Sequence, residues 1–151
     1  MRYTVIIIII SLFAVSCGKD KYSTTPQIEY KSVKPNALRS DLPISQQVMP
    51  VMTISITDAE GDLGFINGKD TAFVYIKSLI NNSVDSFIMP DIQILAGKNY
   101  EGDLLITPPF KRSTRPSPKV DTLFYEIYVK DFAKNKSNVI LTPDPVYYIV
   151  P

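Results

Sequence analysis

Residues Met52 to Phe65 read M-T-I-S-I-T-D-A-E-G-D-L-G-F, and the two halves of this stretch follow different rules. In the first half Met52, Ile54 and Ile56 alternate with Thr53, Ser55 and Thr57. An apolar-polar period of two, carried by β-branched residues, specifies a half-buried strand. The second half places Asp58, Glu60 and Asp62 at alternate positions around Gly61 and closes at Gly64. A core strand therefore runs directly into a tight acidic loop.

Downstream, the same alternation returns in short runs separated by turn residues. Gln27–Lys34 reads as an edge-like first strand stopped by Pro35-Asn36, and Pro50 marks a bulge or a strand start, because proline has no donor for a central ladder. Ala72–Ile80 and Val84–Met89 flank Asn81-Asn82-Ser83 as a hairpin. Pro90–Asn99 is ambiguous between strand and loop. Tyr100–Thr107 ends at Pro108-Pro109, Val120–Lys130 is the longest apolar-rich strand, Ser137–Thr142 returns, and Val146–Val150 is a last strand or a docking tail. No amphipathic helical period stands out beyond the N-terminal leader. Strands at this spacing predict an all-β chain, an antiparallel immunoglobulin-like β-sandwich of about seven strands. Ile54, Ile56, Val74, Ile76, Leu123, Tyr125 and Ile127 are the expected shared core.

The 151 residues suffice for one domain with its own core. There are 16 Lys and Arg against 15 Asp and Glu, so nothing favours a nucleic-acid partner, which requires clustered cations. The basic, proline-rich Phe110–Lys119 reads as a solvated connection in preference to an anion-docking loop. Histidine is absent, which removes Ser-His and Cys-His nucleophile pairs and His-ligated zinc. Paired carboxylates alone can hydrolyse glycosides, but three acids within five residues are too compact to flank a sugar ring. The chain is read as non-enzymatic.

Arg2 is followed by the apolar run Val5–Val15, shorter than the ~20 residues that span a bilayer, as in a secretory signal peptide. The run ends in Ala14-Val15-Ser16-Cys17, and Cys17 is the only cysteine in the chain. Small residues before a cysteine resemble a bacterial lipoprotein processing box. The resemblance implies residues 1–16 as signal peptide, a covalent lipid on Cys17, residues 17–26 as anchor and linker, and 27–151 as the domain. Gly18, in place of the Asp that retains lipoproteins at the inner membrane, implies the outer membrane, and Lys19-Asp20 resembles the surface-export tether of Bacteroidetes lipoproteins, which implies the cell surface.

The order of an anchored linker, an edge strand, I-S-I-T-D-A-E-G-D-L-G (Ile54 to Gly64), a Tyr-rich strand and Y-V-K-D-F-A-K-N-K-S-N (Tyr128 to Asn138) resembles Bacteroidetes surface lipoproteins with an immunoglobulin- or cadherin-like domain. Glu60 stands where that pattern has its middle Asp, and Lys134 where it has a Gly before Asn135. The loop is not an EF-hand: counted from Asp58, the sixth and twelfth positions hold Leu63 and Lys69 instead of Gly and Glu. Crowded carboxylates nevertheless suit a hard divalent cation. Calcium at Asp58, Glu60 and Asp62, with Asp131 as the distant acid and Asp70 next, is one expectation; a solvated turn is the other. Two functions follow: a binding or adhesion module, or a structural accessory docked on an outer-membrane β-barrel or export machine.

Overall fold

The computed structural model describes residues 21–65, 70–90, 99–110 and 116–151. The leader, Cys17, residues 67–69 of the acidic loop's continuation, residues 111–115 of the basic segment and nearly all of the ambiguous 90–99 stretch lie outside the described residues.

The described chain is all-β apart from a 3-10 turn at Ile44–Gln46. Ten strands are present: β1 Gln27–Lys34, β2 Ala37–Arg39, β3 Val51–Asp58, β4 Phe73–Ser78, β5 Val84–Ile88, β6 Tyr100–Ile106, β7 Lys119–Leu123, β8 Tyr125–Lys130, β9 Ile140–Leu141 and β10 Val146–Val150. They form three sheets, ordered β1-β3-β6, β2-β10-β7 and β5-β4-β8-β9. Every pairing is antiparallel except β10 with β2.

The expected count of about seven strands is corrected to ten. Of the additional strands, β2 has only three residues, too few to show a period, and β10 forms where the sequence left a last strand or a docking tail open; the expected Ser137–Thr142 return survives as the two-residue β9. The remaining one arises because Val120–Lys130 is not one strand. It breaks at Phe124, whose carbonyl accepts from the Leu79 amide at 3.0 Å. On one side β7 pairs with β10; on the other β8 pairs with β4. One continuous apolar run thus stitches two sheets together.

Other boundaries follow the local chemistry. β3 starts at Val51, directly after the buried Pro50. The β4–β5 hairpin turns through Asn82, which takes a positive φ of 56°. β1 lies at the edge of its sheet and carries a register shift between Tyr30 and Ser32.

The seven expected core residues are all buried and belong to one cluster, with Met52, Leu63, Val129, Val146 and Tyr148 among their neighbours. β3 supplies every second residue to it, so a one-residue slip would expose Met52, Ile54 and Ile56 together. Truncating Ile54 to Ala costs about 2–5 kcal/mol. Tyr125 is buried through its hydroxyl, which donates to the Pro109 carbonyl at 3.0 Å. No helix among the described residues is long and apolar enough to cross a membrane.

Candidate functional site: two acidic corners at one end of the sheets

β3 carries Asp58 as its last residue, still in the inward register of Ile54 and Ile56. The alternation that builds the core therefore also drives a carboxylate inside, and Asp58 is fully buried. The chain then reverses through Gly61 at φ 66° and Gly64 at φ 98°, left-handed positions that a side chain tolerates poorly. The reversal brings the Gly61 amide to Asp58 Oδ2 at 2.6 Å. It also brings the Asp62 carboxyl within hydrogen-bonding reach of Asp58.

This corner is incompletely satisfied. Asp58 Oδ1 and Asp62 Oδ1 are both buried and have no partner in the described structure. Burial first, and the neighbouring Asp62 charge next, push the Asp58 carboxyl up to about 6, although the Gly61 amide pulls it the other way. Glu60, between them in sequence, points out to solvent.

A second acidic turn closes on the first. β8 ends at Lys130, and Asp131 follows, fully buried. The Phe132 amide donates to the Asp62 carbonyl at 3.0 Å, and the Ala133 amide reaches Asp62 Oδ2 at 3.4 Å. Asp131 itself is occupied. Its Oδ1 accepts from the Asn135 amide at 2.7 Å, and its Oδ2 from Asn135 Nδ2 at 2.9 Å.

The rest of the second motif is structural. Ser137 Oγ accepts from the Val129 amide at 2.9 Å. Asn138 clamps β1 from both sides, accepting from the Ile28 amide and donating to the Ile28 carbonyl, each at 2.8 Å. Sequence reasoning missed these partners; the signal was the Asn135-x-Ser137-Asn138 run, whose short polar side chains readily bond to nearby backbone.

Of the four candidate cation ligands, then, Asp58 and Asp62 are brought together, Asp131 is apposed across the turn but held by Asn135, and Glu60 faces away. Among the described residues no group of three or more carboxylate, cysteine or histidine side chains converges as a metal cluster. Asp70 is exposed, and Cys17 lies outside the described residues. Two crowded carboxyls of this kind are chemically suited to sharing a proton or taking a hard cation.

The N-terminal entry is at the same end. The Ala59 amide donates to the Ser23 carbonyl at 2.8 Å, and the Lys21 amide to Asn99 Oδ1 at 3.0 Å. Comparison with family models, with curated proteins and with solved structures gave no match.

Proposed function

We propose that this chain is a lipid-anchored outer-membrane, cell-surface binding or adhesion module, non-catalytic, with an immunoglobulin-like β-sandwich braced by calcium. The single observation that carries the calcium reading is the pair of buried carboxylate oxygens, Asp58 Oδ1 and Asp62 Oδ1, left without partners on two aspartates whose carboxyls lie within reach of each other. Buried polar atoms are nearly always satisfied, and an unsatisfied carboxylate is among the costliest exceptions. A hard cation satisfies both oxygens and removes their mutual repulsion. Backbone carbonyls and water complete a shell of ~6–8 oxygens, with Glu60 within chain reach and Asp131 next to the site.

The anchor reading rests on the processing box ending in Cys17. Three antiparallel-rich sheets around one core support the sandwich. Binding is supported by a concave apolar feature at the opposite end. It is a cavity of about 380 Å³ lined in part by Leu38, Leu42, Ile44, Met49, Phe110 and Tyr148.

The second reading, an accessory docked on an outer-membrane barrel, is favoured by one feature of that end. Ile44 and Val48 stand 73% and 72% exposed beside the cavity mouth, more open than any other large apolar side chain among the described residues. Mild solubilisation followed by affinity capture separates the two. A stoichiometric barrel partner supports the accessory role; capture of the chain alone supports the module. Cys17→Ser tests the anchor in both cases. It should abolish lipid labelling and release the chain from membranes, and an unchanged mass and membrane fraction would overturn the anchor.

A further inference from the structure

The outer face of the β5-β4-β8-β9 sheet carries an unusual column. Tyr75 and Tyr128 sit opposite each other on β4 and β8, and their rings stack at 4.7 Å and 8°. Lysines cap both outer faces of the pair: Lys130 Nζ lies 5.5 Å from the Tyr75 ring, and Lys136 Nζ 4.1 Å from the Tyr128 ring. Lys134 Nζ lies 5.7 Å from the Phe73 ring and donates to the Thr71 carbonyl. Among the described residues none of these three lysines forms an ion pair. Opposite Phe73 on the edge strand, Ile88 is 57% exposed.

Stacked tyrosines whose outer faces already hold ammonium groups offer no slot for a nucleobase or a sugar ring. What they offer is three cations on aliphatic stems over aromatic rings, next to an exposed isoleucine. Tyrosine and lysine with exposed apolar groups are the composition that suits a membrane–water interface. Their position is as telling. Lys130, Lys134 and Lys136 surround the Asp131 turn, the end at which the N-terminus enters. Lys21 is already fixed there, its amide on Asn99 and its ammonium on Glu101 at 3.2 Å. Only Gly18, Lys19 and Asp20 separate it from Cys17, a reach of at most about 14 Å. Of the acids at this end, Asp58 and Asp131 are buried, Asp62 is partly buried against Asp58, and Glu101 is paired with Lys21, leaving Glu60 and Asp70 exposed.

We propose that the Asp131 end of this face, with Lys130, Lys134 and Lys136, rests on the phosphate headgroups of the anionic bilayer that holds the Cys17 anchor, turning the Leu38–Ile44 cavity at the opposite end outward. The proposal rests on the anchored reading and not on calcium. Lysines near a negatively charged leaflet are attracted within a Debye length, about 10 Å at 0.1 M salt. The short tether holds the Asp131 end near the leaflet.

The test uses the full chain, processed and lipidated, in vesicles of phosphatidylglycerol and phosphatidylcholine carrying a headgroup spin-label quencher. With Cys17 blocked by lipid, one added cysteine takes a fluorophore uniquely. Ser86→Cys, paired with Tyr75 on the neighbouring strand and on the same face, reports the Asp131 end, and Val48→Cys the far end. Quenching should be about threefold or more stronger at Ser86, because the ends lie on the order of 20 Å apart along the strands. Replacing Lys130, Lys134 and Lys136 with Gln, or removing phosphatidylglycerol, should reduce the difference, with the β spectrum unchanged. Equal quenching at both probes, or more at Val48, would overturn the proposal and leave the lysine face for a soluble acidic partner. Mass spectrometry of the same sample reports the lipid separately, so a missing anchor and a wrongly chosen face give different results; a chain without lipid overturns both.

Discussion

The two acidic corners, β3 into Asp58–Asp62 and β8 into Asp131–Asn138, begin alike and end differently. Each follows an alternating strand, each buries an aspartate at the strand's end, and each turns through a left-handed residue. At Asp131 the chain brings its own donors, and Asn135 fills both oxygens. At Asp58 one oxygen takes the Gly61 amide, the other takes nothing, and Asp62 adds a second carboxyl. The lesson is that an acidic turn is defined by its donors as much as by its acids. The closed corner is architecture, and the open one is where the cation is proposed.

The largest effect is expected at the closed corner. Asp131→Ala leaves the Asn135 amide and side chain without their acceptor and should cost about 2–3 kcal/mol, as lost part-buried, charge-assisted hydrogen bonds do. Chemical denaturation should show the same loss in chelator and in calcium. A calcium-dependent loss would instead make Asp131 a ligand and erase the contrast between the corners.

At the open corner the sign reverses. Asp58→Asn keeps an acceptor for the Gly61 amide but removes a buried charge. At pH 7 in chelator it should stabilise the chain by on the order of 1–2 kcal/mol, since a charge is costly to bury unpaired. The pH dependence sharpens this. Asp58 titrates near 6 in the folded chain and at its ordinary 3.8 unfolded, so the folded state holds its proton more tightly. Without calcium, wild-type stability relative to Asp58→Asn should therefore rise as pH falls from 7 through 6, gaining about 1.4 kcal/mol per unit at most, and level off below the unfolded value. A difference that is flat between pH 7 and 4 would mean that Asp58 is not desolvated.

The smallest effect concerns Lys134, which holds a positive φ of 70° where the resembling pattern has Gly. Lys134→Gly should relieve that strain and stabilise the turn by about 0.5–1 kcal/mol, offset in part by glycine's greater unfolded-state freedom. Destabilisation would show that the Lys134 contacts with Phe73 and Thr71 outweigh the strain.

Much of this was readable from residues alone. The period-two alternation named the core, because in a strand side-chain direction is fixed by parity, and it gave β1, β3 and the β4–β5 hairpin nearly to the residue. What alternation cannot carry is partner choice. Val120–Lys130 reads as one strand because the break at Phe124 costs no apolar residue, yet its halves serve different sheets. β2 and β9 are too short to have a period, and the parallel β2–β10 pairing joins segments more than 100 residues apart. The acidic loop was legible as a cluster, but its internal division was not. That Glu60 faces out follows from the turn at Gly61, and that Asp131 is closed follows from Asn135, both facts of side-chain direction. The stacked Tyr75–Tyr128 pair was hidden for the same reason, since it needs the β4–β8 register.

If the Asp58–Asp62 corner holds calcium, as proposed, a thermal melt of the full chain will show it. The chain is melted at pH 7 in chelator and again in millimolar calcium, beside Asp58→Asn/Asp62→Asn. A ligand that binds only the folded state at ten times its dissociation constant adds about 1.4 kcal/mol, which for a domain of this size is roughly 3–6 °C. That rise is expected for the wild type and none for the double variant. Superimposable wild-type melts in the two buffers, or an equal rise in the variant, would contradict it.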